Sequence, residues 1–183
     1  MRAATPGAPH PTHVIYAHGA GSSPTDAPLP ALRDLLGRNY RITAPDLGPP
    51  DPQAWTAALT PLLRDHGAQA ILVGHSLGGS HILKCLAELG PAVQPRAFVG
   101  LACPLWGQPG WESAEFALPA WAPDALSRLP IRLFHARDDT VVPPDHLQEW
   151  ATVLPQARCH SIAKGGHEFT EGLSSVAMAI AEL

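Results

Sequence analysis

The residues most suited to chemistry are Gly74-His75-Ser76-Leu77-Gly78, followed by Gly79. They come directly after the apolar run Ala70-Ile71-Leu72-Val73 and open a stretch that reads as a helix. A turn tight enough to pass from strand to helix leaves no room for a side chain at Gly74 or Gly78. It also holds the apex serine in a strained conformation, with its hydroxyl presented outward. The apex sits at a helix N-terminus, whose positive end favours developing negative charge. Serine is a poor nucleophile at neutral pH. It needs a base to take its proton and an acid to hold that base in the right tautomer.

This strand, Gly-x-Ser-x-Gly, helix arrangement resembles the α/β-hydrolase superfamily, and the resemblance runs from about Thr12 to Leu183. It implies the chain order serine, acid, histidine. Two carboxylates compete for the acid in the turn after Ile131-Arg132-Leu133-Phe134, namely Asp138 and Asp139. The family's Asp-x-x-Val-Pro pattern matches Asp139-Thr140-Val141-Val142-Pro143 and selects Asp139. Asp138 is then a solvated turn residue or a salt-bridge partner of Arg137. The base is expected at His167, in the loop Gly165-Gly166-His167 between the last strand and the last helix. Among the other histidines, His75 supports the turn, His81 lies on the following helix and His135 stands near the acid loop. His160 falls on an edge strand, and His10 and His13 near the tail.

The resemblance also implies an oxyanion hole built from two backbone amides. One is that of Leu77. The other is that of Ala20, in the glycine-rich loop His18-Gly19-Ala20-Gly21-Ser22-Ser23. No Gly-x-Gly-x-x-Gly and no Gly-Lys-Ser/Thr is present to make that loop a phosphate cradle. The chain offers about six strands where the family commonly has eight, and Pro104 to Pro123 takes the place of a lid. In this it is similar to the small lidless branch that includes retinoblastoma-binding protein nine. The stretch holds Trp106, Trp111, Phe116 and Trp121, which form either an apolar wall for substrate or a loop packing itself down.

The elements that must position these residues alternate along the chain. Strands are expected at Val14 to Ala17, Tyr40 to Ala44, Ala70 to Val73, Ala97 to Ala102, Ile131 to Phe134 and Arg158 to Ile162. The first five are mostly apolar on both faces, as strands covered on both sides are. The sixth is more polar and suits an edge. Helices are expected at Leu29 to Arg38, Pro52 to His66 after an Asp51 cap, Ser76 to Leu89, Pro144 to Leu154 and Glu168 to Leu183, with a short turn at Asp124 to Arg128. The fold class expected is α/β, a doubly wound, mostly parallel sheet of about six strands with helices on both faces. Residues 1–11 read as a flexible tail and residues 12–183 as one domain.

Bulk properties narrow the function. The chain has 183 residues, 45% hydrophobic and 15% charged, with a formal net charge of -4. No Lys/Arg run or basic stripe supports nucleic-acid binding. No run of about 18 apolar residues supports a membrane span. Three cysteines, Cys85, Cys103 and Cys159, read as free thiols, so a cytoplasmic protein is expected. The ten histidines are scattered without metal-ligand spacing, and neither metal nor organic cofactor is implied. The expected activity is hydrolysis of a small carboxylic ester, with a short acyl chain because no large lid encloses a long one. A thioesterase, a small peptidase or amidase, and a non-catalytic binding protein on the same fold are the alternatives. Oligomeric state is not legible here.

Overall fold

The structure, a computed structural model, describes residues 10–183. The expected tail therefore lies almost wholly outside the described residues. Six strands form one sheet: β1 (Thr12–Ala17), β2 (Tyr40–Thr43), β3 (Ala70–His75), β4 (Ala97–Leu101), β5 (Ile131–Ala136) and β6 (Arg158–Ile162). Their order across the sheet is β2-β1-β3-β4-β5-β6, and every pairing is parallel. The chain thus starts near one edge, steps out to β2, and then winds across to β6.

Alternation along each strand divides the core in two. Val14 and Tyr16 of β1, with Ile71 and Val73 of β3, face one side. Helices α1 (Leu29–Leu36) and α6 (Leu173–Ala181) cover that side. Ile15, Ala17, Ala70 and Leu72 face the other, under α2 (Pro52–His66), α3 (Leu77–Leu89), α4 (Ala122–Leu126) and α5 (His146–Val153). Asp51 caps α2 through a 2.8 Å bond from the Ala54 amide, with Pro52 at the first helical position. Both edge strands are the more exposed ones: β6 as its polar sequence requires, and β2 against the expectation of cover on both sides, because it pairs only with β1. No helix among the described residues is long and apolar enough to cross a membrane.

Several boundaries differ from the sequence reading by one or two residues, among them α5, which runs from His146 to Val153. α1 stops at Leu36, because Gly37 takes a φ of 62°. α4 sits two residues early, with Pro123 in its first turn. The largest difference is α6, which starts at Leu173 and not at Glu168. Residues 165 to 172 cannot be helical, since Gly165, Gly166, Phe169 and Gly172 all have positive φ. This segment carries His167 across to the C-terminal edge of the sheet before the helix begins.

Candidate active site

The C-terminal ends of β1, β3, β5 and β6 bring the expected residues to one edge, where open α/β sheets place their sites. Ser76 lies between β3 and α3 with φ 51° and ψ -128°, a region costly for any residue with a side chain. The strain is held by backbone bonds on both sides. The Ser76 amide donates to the Leu101 carbonyl of β4 at 2.8 Å, and the Ser76 carbonyl accepts from Gly79 at 3.0 Å. The glycines are needed for the reason the sequence suggests. A Cβ on Gly74 would meet the backbone of Gly79, and one on Gly78 the carbonyls of Ala17 and His18. Ser76 is 9% exposed, so its apex is more covered than a bare elbow, because the loop after β1 leans over it. A Cβ on Gly19 would come within 3.0 Å of the Ser76 Cβ.

That loop is held by His18, a residue whose role the sequence did not reveal. The His18 ring accepts the Leu47 amide at Nε2 (2.8 Å), so Nδ1 carries the proton and donates to the Gly19 carbonyl at 2.8 Å. A trans peptide is planar, so pinning the Gly19 oxygen directs the Ala20 N–H the opposite way. Ala20 and Leu77 thus stand on the two segments that meet at the elbow, each with a backbone amide.

Asp139 and His167 are brought together. His167 Nδ1 donates to Asp139 Oδ2 at 2.9 Å, with the carboxylate fully buried. Nε2 is then the nitrogen left with a free lone pair. The other carboxylate oxygen accepts the amides of Val141 (2.8 Å) and Val142 (3.0 Å). His135 Nε2 lies 2.9 Å from the Val142 carbonyl and 3.2 Å from Asp139 Oδ2, so one N–H serves both. Burial alone would raise the Asp139 carboxyl. Hydrogen bonds from His135, His167, Val142 and Val141 outweigh it and hold the group well below the usual carboxylate range.

The competitor Asp138 points elsewhere. It is exposed, yet it accepts the amides of Gly166 at 2.9 Å and Gly165 at 3.3 Å. It is neither a free turn residue nor paired with Arg137. His75 is buried, and its Nε2 donates to the His167 carbonyl at 2.9 Å. No pattern in the sequence foretold these contacts, because the partners lie 28 and 92 positions away.

The aromatic stretch divides. Trp106 packs on Trp111 and Phe116, and Phe116 continues onto Trp55 of α2 and His81 of α3. Trp111 meets the ring of His146 edge-on at 4.8 Å. The His146 Nδ1 accepts the Leu105 amide at 2.9 Å, and Ser80 donates to the Pro104 carbonyl at 2.5 Å. The stretch is therefore tied to the acid-loop side through α5 and to the elbow helix through α3. Trp121 stands outside this chain of contacts, 59% exposed. A cavity of about 480 Å³ lies away from all of these groups, between Leu86 to Pro95 and Asp124 to Leu129.

A profile of the alpha/beta hydrolase family matches residues 14–162, and the chain belongs to that family. Among solved structures it is similar to the ydeN gene product of B. subtilis (TM-score 0.80, 20% identity, covering 94% of this chain and 100% of that one). It is also similar to Est1E from Butyrivibrio proteoclasticus (0.72, 13% identity, 94% and 86%). A third is the esterase domain of a Rhodothermus marinus protein (0.64, 20% identity, 93% and 84%). At these identities the likeness is one of fold. No curated protein matches the chain.

Proposed function

We propose that this protein is a serine hydrolase that cleaves a small carboxylic ester through an acyl-enzyme intermediate. The observation that carries the reading is the 2.9 Å bond between buried Asp139 and His167, at the same C-terminal edge of the sheet as a serine held at φ 51°. Ser76 Oγ attacks the ester carbonyl carbon as His167 Nε2 takes the hydroxyl proton. Asp139 stabilises the imidazolium without itself becoming protonated. The tetrahedral oxyanion accepts the amides of Leu77 and Ala20. Its collapse breaks the carbon–oxygen bond to the leaving alcohol, which takes the proton from His167. Water, deprotonated by the same imidazole, then attacks the acyl-Ser76 ester and releases the acid.

Family membership supports hydrolysis as the chemistry. The ester as substrate, the short acyl chain and the roles of Trp106, Trp111 and Phe116 as its apolar wall are our reading, while Trp121, exposed and outside their contacts, stands apart from it. The contact of Trp111 with His146, and the link of His146 through α5 to the acid loop, support the wall. Cys85, Cys103 and Cys159 are all free, which supports a reducing compartment such as the cytoplasm.

The test is hydrolysis of p-nitrophenyl esters from acetyl to dodecanoyl, beside matched thioesters and anilides. The short oxygen esters are expected to give the highest kcat/KM, with turnover lost in Ser76→Ala. Preference for thioesters or anilides moves the assignment to thioesterase or amidase. No turnover of any of them makes the chain a binding protein on a hydrolase fold.

A further inference from the structure

We propose that His75 and Asp138 are positioning residues that together clamp the loop carrying His167; the proposal rests on His167 being the base. The loop has reason to need a clamp. It joins β6 to α6 through ten residues, 163 to 172, with no helix or strand. Gly165 and Gly166, immediately before His167, both have positive φ, and glycine has the widest conformational freedom of any residue. Downstream, the loop is anchored by Phe169, buried against the α1 and α6 side of the core. Thr170 closes a local turn on the Gly165 carbonyl at 2.9 Å. Neither contact reaches the Gly165 and Gly166 amides or the His167 carbonyl.

Asp138 and His75 do touch them. The Asp138 carboxylate takes one glycine amide on each oxygen, Gly165 on Oδ2 and Gly166 on Oδ1. These charge-assisted bonds fix the Lys164–Gly165 and Gly165–Gly166 peptide planes, the two that precede the peptide joining Gly166 to His167. The Gly166 and Gly165 amides in turn hold the Asp138 carboxyl below its ordinary value. From the elbow side, His75 Nε2 donates to the His167 carbonyl and fixes the peptide plane leading out. A carbonyl only accepts, so His75 is the Nε2–H tautomer and Nδ1 is a bare acceptor. That Nδ1 is buried without a hydrogen-bond partner. A leucine here would fill the space without leaving an acceptor unpaired. The histidine is therefore explained by the bond its other nitrogen makes.

The two grips come from different elements. His75 ends β3 and directly precedes Ser76, while Asp138 follows β5 and directly precedes Asp139. The residue before the nucleophile and the residue before the acid thus both hold the loop of the base. The loop of the base is therefore tied to both strand ends that carry the other two groups.

The test uses four variants of the full chain: His75→Leu, His75→Gln, Asp138→Ala and Asp138→Asn. The first readout needs no activity and is amide hydrogen exchange across residues 163 to 170. Asp138→Ala is expected to speed exchange at Gly165 and Gly166, whose amides bond only to that carboxylate. The second is kinetics on a short acyl ester. His75→Leu and Asp138→Ala are expected to lower kcat by about tenfold or more with KM within about twofold, since misplacing a catalytic group by an ångström costs up to about a hundredfold. Gln retains a donor and Asn one acceptor oxygen, so each is expected to recover part of kcat. Folded His75→Leu and Asp138→Ala with wild-type kcat and exchange would overturn the clamp. So would a loss appearing in KM alone, or Gln and Asn variants no better than Leu and Ala. If His75→Leu does not fold, exposed Asp138 decides. If wild type hydrolyses no ester, the functional reading fails, and exchange at Gly165 and Gly166 still judges the clamp.

Discussion

Two backbone amides and two imidazole N–H groups converge on the Asp139 carboxylate, so every lone-pair direction that matters is used. Asp139→Asn preserves volume but places an amide NH2 or a weaker acceptor opposite His167 Nδ1–H, and the imidazole loses its tautomer. A loss of about 10⁴ in kcat is expected, as in the corresponding change of a serine protease, with circular dichroism unchanged. Asp138→Asn keeps one acceptor for the glycine amides and is expected to lose about tenfold or less. Reversal of that order, with Asp138→Asn crippled and Asp139→Asn near normal, contradicts the assignment. The chain order that the resemblance implies narrowed the expected acid to two adjacent carboxylates, Asp138 and Asp139. The choice between them was legible only through family resemblance, because the groups that distinguish them come from loops 27 and 28 residues away. The expectation at Ser76 came from its flanking glycines between a strand and a helix, and that at His167 from its loop after the last strand together with the chain order the resemblance implies.

At the scale of elements, the segment between β4 and α4 is the part whose role depends on its packing. Phe116 is seated on Trp55 and His81, whereas Trp106 and Trp111 stay half-buried and Trp121 open. Trp111→Ala is expected to raise KM for acyl esters several-fold with kcat within about twofold, and to shift the preferred acyl length. Unchanged KM across the series would leave Trp111 with a packing role only. The strands were legible because apolar runs bounded by turn residues admit little else. The start of α6 was not, because Glu168 to Leu183 reads as one continuous helical stretch. Its first five residues are instead held out of the helix by positive φ at Phe169 and Gly172 and by the need to present His167.

Across the whole molecule, the histidines decide how stability responds to acid. Burial pushes His75 and His81 down to about 4, and His13, His146 and His160 are lowered as well, also chiefly by burial. Unfolded histidine takes up its proton near 6.5, so between about 6.5 and 4 the unfolded chain binds more protons than the folded one. Stability is therefore full above about 6.5 and falls through that window, by about 3 kcal/mol at most for each of His75 and His81. Asp139 acts lower, because its depressed carboxyl contributes stability above about 4 that is lost only as pH falls further. Urea melts at pH 7.5, 6, 5 and 4.5 are expected to show the midpoint dropping steadily below about 6.5. A flat profile down to 4.5 contradicts neutral burial of these rings. Ten histidines were visible in the sequence, but which of them are sealed under helices depends on packing between distant segments.

The most direct test of the central claim is labelling of the intact protein with a fluorophosphonate, followed by peptide mapping. The serine hydrolase reading predicts one adduct per chain, on Ser76, lost in Ser76→Ala and strongly slowed in His167→Ala. An adduct on another residue, labelling that survives Ser76→Ala, or no adduct on a protein that folds would contradict it.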